Sequence, residues 1–429
     1  MSTPLTMLLL LALACGQEST PHAQSGVIAD AVTIPSTTFT PRHYDIRPDQ
    51  LPAPYATNSV GNPPNVVPQP PGATLQMPPG FAISTFATNL GGPRTMLVAA
   101  NGDIIVAEMD AGRVSILRDD NHDGVSDQRF TFVSGLDQPF GLAIHDNYLY
   151  VGSNGSVVRY DYVAGQTAKS GAGTLVTSVP KDGHATRGVL FNPAGTKMYV
   201  SIGSYSNVDV ESDPMRAAIV EFNPDGSGKR VFASGLRNPV GMAWEPTTGA
   251  LWTVVNERDG LGDDLVPDYA TEVKDGAFYG WPYAYIGQHE EPRLAGENPQ
   301  KVAQTIVPSL LLQAHSAALG IAFYGGTMFP ADYRGDAFVA LHGSWNRSKR
   351  TGYKIVRIAM KNGQPAGGYD DFITGWSPSE TSRDVWGRPV GLLVLPDGSM
   401  LISDDGANKI WRVTYSAPTA GARRRAVGH

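Results

Sequence analysis

The sequence is short of cysteine and of positive charge. Cys15 is the one cysteine among 429 residues, so no disulfide can form within the chain. Lys and Arg number 33 against 40 Asp and Glu, which gives a formal net charge of −7. A nucleic-acid-binding protein needs a basic surface, so we expect no nucleic acid partner. An anionic ligand would have to find a local cluster of arginines instead.

Long apolar runs are also lacking. "MLLLLALA", just before Cys15, is too short to span a bilayer as a helix and is typical of the core of a secretory signal. "LALAC" is similar to a bacterial lipoprotein cleavage site, although no Lys or Arg precedes the run. We therefore expect residues 1–15 to be a signal and the protein to be exported, either periplasmic or membrane-anchored as a lipoprotein by a lipid on Cys15. The alternative is a hydrophobic N-terminus without a lipid.

Glycine and proline, by contrast, are abundant, with 48 and 33 residues. This composition favours short strands and many turns. Residues 16–78, with "NSVGNPPNVVPQPPG", are too proline-rich to form a packed core and predict an extended tether or surface arm. We expect the folded domain over 79–416 and a basic, flexible tail over 417–429, which contains "GARRRAVGH".

One phrase recurs along the chain, as in "GLDQPFGLAIHD", "GLRNPVGMAWEP" and "WGRPVGLLVLPDG". An apolar run, a turn and a second strand follow each copy. The repeat position is occupied by Thr95, Gly141, Gly188, Gly241, Gly320 and Gly391. Six such units predict an all-β fold, a six-bladed β-propeller, rather than a β-sandwich or two stacked domains.

Two irregularities and the closure of the ring are also predicted. The two long intervals between copies indicate an insertion over 256–314 and a longer hairpin in the fifth blade. "GFAISTFATNL", residues 80–90, would supply the strand that closes the ring with the last blade.

In such a propeller, the loops before each inner strand and after each second strand open into one funnel, where function usually resides. The first set carries Arg94, Gln138, His184, Arg187, Arg237, Asn238, His315, Ser316 and Arg388. The second carries Glu108, Asp110, Ser204, Asn207, residues 256–264, His342, Trp345, Asn346, Arg347, Asp404 and Asp405. Several arginines at one opening predict an anion with more than one carboxylate or phosphate, although any single one can be a structural ion pair. A neutral His184 could accept a proton from a substrate hydroxyl.

Two loops are candidates for calcium. "DDNHDGVSD" places Asp119, Asn121, Asp123 and Asp127 around a glycine, in alternation typical of Ca²⁺ ligands; the alternative is a solvated acidic turn. "NERDGLGDDLVPDY", residues 256–269, could offer backbone carbonyls beside a ligand in the funnel.

At these residues the sequence resembles a known family. "DGHATRG", "GLRNPVGMAW", "NERDGLGDDLVPDY", "DGAFYGWPY", "LHGSWNR" and "GRPVG…PDGSMLISDDGANKIWRV", in this order, are similar to the glucose/sorbosone dehydrogenase family over roughly residues 75–415. The likeness is greater to the sorbosone and aldose sugar dehydrogenase branch. It implies a six-bladed propeller that uses pyrroloquinoline quinone (PQQ), a tricarboxylate, together with Ca²⁺.

The resemblance also implies roles for individual residues. His184 would be the general base, Arg237 and Asn238 would contact the quinone oxygens, and Gln138 would lie near them. Arg388 would hold a PQQ carboxylate, and Arg347 stands near a cationic position of the family. Backbone carbonyls near Asp259 and Gly260 would bind Ca²⁺. The glucose-oxidising branch has an acidic residue directly before the base, where this chain has Gly183.

The implied reaction is oxidation of an aldose or related aldehyde by hydride transfer to PQQ, while Ca²⁺ and Arg237 stabilise charge on the quinone. Electrons would then pass to an external acceptor, a cytochrome or quinone, because the chain has no CxxCH haem motif. Two alternatives remain: a calcium-dependent six-bladed lactonase, and a non-catalytic exported binding or scaffold protein.

Overall fold

The computed structural model describes residues 32–417. The predicted signal over 1–15, with Cys15, residues 16–31 of the predicted arm and residues 418–429 of the predicted tail lie outside this range and stay predictions. None of the helices within 32–417 is long and apolar enough to cross a membrane.

Six antiparallel sheets form the blades, five of four strands and one of five, and this arrangement confirms the six-bladed propeller. The strands below are given from the central axis outwards. Blade 1 consists of Pro93–Val98, Ile104–Glu108, Arg113–Arg118 and Gln128–Ser134. Blade 2 consists of Gly141–His145, Tyr148–Ser153, Ser156–Asp161 and Thr174–Ser178. Blade 3 consists of Arg187–Phe191, Met198–Ile202, Ala218–Phe222 and Arg230–Ser234.

The remaining blades follow the same order. Blade 4 consists of Asn238–Trp244, Leu251–Asn256, Pro267–Glu272 and Leu310–Ala314. Blade 5 consists of Ala318–Phe323, Ala337–Leu341, Lys354–Ile358 and Tyr369–Ile373. Blade 6 consists of Pro389–Val394, Met400–Asp404, Lys409–Tyr415 and Phe81–Ala87. The outer strand of blade 6 thus comes from the start of the propeller and closes the ring, as the sequence predicts.

The repeated glycines lie where the inner strands of successive blades approach each other. A Cβ added at Gly141 would lie 2.2 Å from the carbonyl oxygen of Arg187, and one at Gly320 would lie 2.2 Å from that of Val390. The other three glycines would meet the carbonyl oxygens of Val240, Leu319 and Arg94, each in the next blade, at 2.8, 2.7 and 2.6 Å. Real Cβ atoms do not come this close, so a side chain there would push the blades apart. The repeated glycine is therefore explained by the close packing of neighbouring inner strands in the ring.

The hydrophobic core lies between the blades. The second strands are buried along their whole length in blades 1, 3, 5 and 6. Blades stack face to face, so these strands are covered on both faces, and most of their residues are apolar. An aromatic cluster between blades 5 and 6 includes Phe81, Phe329, Phe338 and Trp411.

The predicted insertion over 256–314 needs correction. Two regular strands of blade 4, Pro267–Glu272 and Leu310–Ala314, lie inside this range. The extra chain between them carries the short strands Ala284–Tyr285 and His289–Glu290, the turn Pro292–Leu294 and the helix Pro299–Gln304. The longer hairpin of blade 5 is confirmed: the turn Ala331–Tyr333 lies between its first two strands. Further along blade 5, Met360–Lys361 pairs with Gln364–Pro365.

Residues 32–78 run along blades 4, 5 and 6. Ser36–Thr38 pairs in parallel with Leu75–Met77, and His43–Tyr44 adds a fifth strand to blade 5. After the turn Pro48–Gln50, the short strand Asn65–Val66 pairs in parallel with Asp384–Val385. This proline-rich segment therefore satisfies its backbone groups partly by pairing with itself and partly by pairing with strands of the propeller.

Candidate active site

His184 lies in the loop that leads into the inner strand of blade 3. Its backbone N–H donates to the carbonyl oxygen of Ser204, which follows the second strand of the same blade, at 3.0 Å. The buried guanidinium of Arg187 donates to the carbonyl oxygens of Pro180 and Thr186, at 2.5 and 2.8 Å, and also to that of His184. Arg187 therefore fixes the loop from inside and is a structural residue of the funnel wall.

The contacts of His184 determine its tautomer. Nδ1 lies 2.8 Å from the Ser204 carbonyl oxygen, which can only accept, so Nδ1 carries the proton. Burial and the nearby positive charge of Arg237 lower the pKa of His184 to about 4. The imidazole is therefore neutral near pH 7, and the lone pair on Nε2 can accept a proton.

Arg237 and Asn238 lie beside His184. A Cβ at Gly203 would be 2.6 Å from Cβ of His184 and 2.4 Å from Oδ1 of Asn238, so these side chains are neighbours. Asn238 is buried, and among residues 32–417 no donor reaches its Oδ1. An unpaired buried carbonyl oxygen is costly and marks a place where a ligand or water can donate.

The Arg237 guanidinium is held on every side. It donates to Oδ1 of Asn207 at 3.0 Å and to the carbonyl oxygen of Glu257 at 2.9 Å, and lies 3.5 Å from the Asp259 carboxylate. Burial lowers its pKa, and the nearby acidic groups oppose that shift. The cation is therefore fixed in position, which favours an electrostatic role towards a ligand.

Asp259 is surrounded by donors. Its carboxylate lies 3.3 Å from Nδ1 of His315 and accepts a hydrogen bond from Nδ2 of Asn346. Burial alone would raise the pKa of Asp259, but the hydrogen bond from His315 and the charge of Arg237 hold it below its ordinary value. The other ring nitrogen of His315 lies 2.9 Å from the carbonyl oxygen of Gly262. The carboxylate is therefore ionised and rigidly placed.

The carbonyl oxygen of Asp259, a predicted calcium ligand, already accepts two hydrogen bonds of 2.9 Å, from Asn207 and Arg293. A calcium ion there would have to compete with both donors. Gly260 has a φ of +96°, a conformation that glycine adopts readily. Within residues 32–417, no group of three or more His, Cys, Asp or Glu side chains is arranged to hold a metal ion. The calcium prediction at Asp259 and Gly260 stays a prediction.

Arg388 lies across the funnel, next to a chain of charged groups. Its guanidinium is 3.4 Å from the carbonyl oxygens of His342 and Gly343, both long contacts, which leave it capacity for a ligand. The Asp405 carboxylate bonds Nε2 of His342 at 2.8 Å and the guanidinium of Arg94 at 2.8 Å. Burial lowers the pKa of His342 to about 4, so this histidine is neutral. The carboxylates of Asp405 and Asp404 both lie near Arg388, so they partly neutralise the two arginines on this side of the funnel.

Gln138 and Arg347 are the other two residues predicted to contact the cofactor. Gln138 is exposed, with a φ of +48°, in the loop before the inner strand of blade 2. The guanidinium of Arg347 pairs with the Asp264 carboxylate and donates to the carbonyl oxygen of Asp263 at 3.0 Å. Arg347 is thus engaged within the rim, and its cofactor role stays a prediction, as does that of Gln138.

The 119–127 loop lies at the opposite end of the propeller, because it joins the third and outer strands of blade 1. Its carboxylates bond its own backbone: Asp119 accepts from Gly124 N–H at 2.9 Å, and Asp127 from Asp120 N–H at 2.7 Å. The Arg412 guanidinium packs against Gly124. The loop, with Asp119, Asn121, Asp123 and Asp127, is therefore separate from the funnel, and its calcium prediction remains open.

Several supporting contacts involve residues that the sequence places at the funnel without predicting their partners. Asn207 bridges Arg237 and Asp259, and the pairs Asp405–His342 and Asp259–His315 join different blades. These side chains follow second strands or precede inner strands, so their position in the repeat places them at the funnel. The repeat does not show which of them pair with each other. Arg293 lies in the extra chain of blade 4, outside any repeat, and no sequence signal indicates its contact with Asp259.

The sequence profile of the TrAA12-like family matches residues 75–275 and 291–416. The chain belongs to this family. A protein of Borreliella burgdorferi is 30% identical over 360 residues, which cover 80% of this chain and 91% of that protein. The PQQ-dependent sugar dehydrogenase of Hypocrea jecorina is 25% identical over 398 residues, with coverage of 79% and 89%.

A second named relative of this TrAA12-like chain is the PQQ-dependent pyranose dehydrogenase of Coprinopsis cinerea, 25% identical over 77% of this chain. The match spans about half of that longer protein, 53% of its length. The sugar dehydrogenase resemblance drawn from the sequence is thus confirmed.

Solved structures share the fold. The PQQ domain of the Coprinopsis enzyme, in its holo form, has a TM-score of 0.69 at 21% identity and covers 81% of this chain and 98% of that one. A calcium structure of the Trichoderma reesei family AA12 protein has a TM-score of 0.68 at 24% identity, with coverage of 83% and 99%.

Proposed function

We propose that this protein is a PQQ-dependent dehydrogenase that oxidises an aldose or a related sugar aldehyde and passes the electrons to an external acceptor. The observation that carries the proposal is the state of His184: a half-buried, neutral imidazole whose proton sits on Nδ1 and whose Nε2 is available as a base. The Coprinopsis and Hypocrea relatives, a PQQ-dependent pyranose dehydrogenase and a PQQ-dependent sugar dehydrogenase, support the choice of cofactor and substrate class.

The funnel residues fit PQQ. A planar tricarboxylate needs cations at its edge and donors or acceptors at its quinone oxygens. Arg388, which has spare capacity, would hold a carboxylate, and Arg237 and Asn238 lie beside His184, where the reacting carbon would be. Bound PQQ would supply the acceptor for the hydride.

The protein's own residues would handle the proton. Nε2 of His184 accepts the proton of the reacting hydroxyl, and the Ser204 carbonyl, bonded to Nδ1–H, stabilises the imidazolium that forms. Arg237, fixed by Asn207 and the Glu257 carbonyl, supplies a positive charge that needs no rearrangement during the reaction. The Ser204 carbonyl thus replaces the orienting acid that the sequence lacks at Gly183.

We further propose that Ca²⁺ is required for PQQ binding, near Asp259 and Gly260. The calcium structure of the Trichoderma protein supports this proposal, although the Asp259 carbonyl would have to exchange its two donors for the metal. The second candidate loop, 119–127, faces away from the funnel and would have no direct part in the reaction.

Reconstitution with PQQ and Ca²⁺, followed by dye reduction on a panel of aldoses, tests this function. Sugar-dependent reduction that needs added PQQ would support it. Lactone hydrolysis without PQQ would favour a lactonase, and inertness towards both PQQ and lactones would favour a binding or scaffold protein.

A further inference from the structure

A short part of the N-terminal segment, residues 55–63, lies across the outer edge of the funnel. It touches two loops: 256–264, after the second strand of blade 4, and 342–350, after the second strand of blade 5. We propose that this rim strap, residues 55–63, holds both loops in place for the cofactor and that Thr57 and Asn62 are positioning residues. The inference rests on the proposed function and extends it to a part of the chain that the TrAA12-like match does not include.

The rim strap supports the first loop by backbone and side-chain hydrogen bonds. Tyr55 N–H donates to the carbonyl oxygen of Leu261 at 2.8 Å. Asp263 N–H donates to the hydroxyl of Thr57 at 2.7 Å. A Cβ at Gly262 would lie 2.9 Å from that hydroxyl oxygen, so Thr57 packs directly on the loop backbone.

The rim strap holds the second loop through Asn62. The N–H of Asn62 donates to the carbonyl oxygen of Trp345 at 2.7 Å, and its Nδ2 donates to that of Arg347 at 2.9 Å. In return, the guanidinium of Arg350, which is buried, donates to the backbone and side-chain oxygens of Asn62, both at 2.9 Å. One asparagine therefore satisfies polar groups at both ends of this loop.

Each of these two loops is connected to Asp259, at the centre of the site, through one or two hydrogen-bonded contacts. The Gly262 carbonyl, next to the Thr57 contact, bonds His315, which also contacts Asp259. Asn346, between the two Asn62 contacts, donates to the Asp259 carboxylate. Asp259 in turn faces Arg237. A displaced rim strap would therefore disturb the donors around Asp259.

The loops depend on such support because they have little regular structure of their own. No strand or helix lies within 257–264 or 342–350. They also bond each other: Ser348 N–H donates to the Asp263 carboxylate and Arg347 to the Asp263 carbonyl oxygen, both at 3.0 Å, and Asn346 donates to the Asp259 carboxylate. The rim strap braces this shared network from outside. Binding sites lose affinity when loops must be ordered on binding, so an external brace favours ligand retention.

Matched variants of the full chain test the positioning role. Thr57→Val removes the hydroxyl but keeps the shape, and Thr57→Ser restores it. Asn62→Ala removes the amide, and Gln76→Ala removes an amide elsewhere in the N-terminal segment, where Gln76 bonds the Thr374 hydroxyl on blade 5 at 3.1 Å. Thr57 is exposed, so its variants should fold.

The first readout is the Kd of PQQ in the presence of Ca²⁺, measured by titration. We expect Asn62→Ala and Thr57→Val to raise the Kd about three- to tenfold, with Thr57→Ser and Gln76→Ala near wild type. At saturating PQQ, kcat should stay within about twofold of wild type, because the rim strap touches no reacting group. An unchanged Kd in both loss variants, or an equal rise in Gln76→Ala, would overturn the proposal.

The second readout is amide hydrogen exchange of the protein without added cofactor. Asn62→Ala and Thr57→Val should speed exchange in 256–264 and 342–350, and Gln76→Ala should not. Unchanged exchange in these loops would also overturn the proposal. Failure of the wild-type protein to bind PQQ would overturn the proposed function, while the exchange result would still decide whether the rim strap positions the loops.

Discussion

His184 shows how a backbone carbonyl can set the chemistry of a site. The Ser204 carbonyl oxygen accepts a hydrogen bond and cannot donate one, so it selects the Nδ1–H tautomer without adding a charge. Its position follows from the fold, because the loop after the second strand of each blade lies beside the loop before the inner strand. Sequence reasoning identified His184 from its place in the repeat, but it could not identify a backbone partner, which has no residue signature.

Removal of the imidazole should separate binding from catalysis. We expect His184→Ala to bind PQQ with a Kd near wild type and to lose about 10²- to 10⁴-fold in kcat, since the proton acceptor is gone. Single-turnover dye reduction and PQQ titration measure the two effects. His43→Ala, at an exposed histidine paired with Asp370, is the control and should keep full activity. Undiminished turnover in His184→Ala would exclude it as the base.

The pH dependence should report the lowered pKa of His184. The base works only when it is deprotonated, so its activity is present above its pKa and is lost as pH falls through that value. With a pKa of about 4, we expect kcat/KM to decline only below about pH 5, rather than near the ordinary histidine value of about 6.5. A pH–rate profile from pH 3.5 to 7.5 measures this. An acid limb centred near 6.5 would contradict the tautomer and burial described here.

The inner strands explain why the blade count could be predicted from the sequence. Each glycine of the repeat meets the next blade's carbonyl oxygen, so the same constraint recurs in five blades, and only blade 1 departs from it, with Thr95. The insertion in blade 4 was predicted with the wrong bounds. The third and outer strands of that blade carry no repeat phrase, so the sequence did not separate them from the extra chain between them. The partners of Asp259 could not be predicted either, since they come from blade 3, the extra chain of blade 4 and the loops of blade 5, far apart in sequence.

A methyl group at the repeat position should separate neighbouring blades. We expect Gly320→Ala to lower the free energy of unfolding by about 2–3 kcal/mol, because the new Cβ would lie 2.2 Å from the Val390 carbonyl oxygen. Gly325→Ala is the matched control: it follows the same strand, and a Cβ there would meet nothing within 4 Å. Thermal or chemical unfolding of both variants measures the difference. Equal stability of the two would refute the packing explanation of the repeat.

At the scale of the whole molecule, the funnel is surrounded by elements that are far apart in sequence. Two features bring them together: the closure of the ring and the N-terminal segment. Phe81–Ala87 closes blade 6, and residues 55–63 reach the loops of blades 4 and 5. A ligand at the centre would contact several blades at once. Its binding energy should therefore appear as stability of the entire ring.

Cofactor binding should thus raise the melting temperature. At a PQQ concentration about 100 times the Kd, the folded state gains about 2.7 kcal/mol, and Tm should rise by several degrees. Chelation of Ca²⁺ should abolish the rise if the metal is needed for PQQ binding. Scanning calorimetry of the protein with PQQ, with Ca²⁺ and with both measures this, and a Tm unaffected by the combination would count against the proposed cofactor.

The most direct test of the account is titration of the metal-stripped, full-length protein with PQQ, with and without Ca²⁺, alongside Arg388→Gln. We predict saturable binding that is much tighter with Ca²⁺, and at least about tenfold weaker in Arg388→Gln, because a charged hydrogen bond to a carboxylate is lost. Absence of PQQ binding by the wild-type protein in both conditions would contradict the account, and the arginines of the funnel would then have to serve another anion or the fold alone.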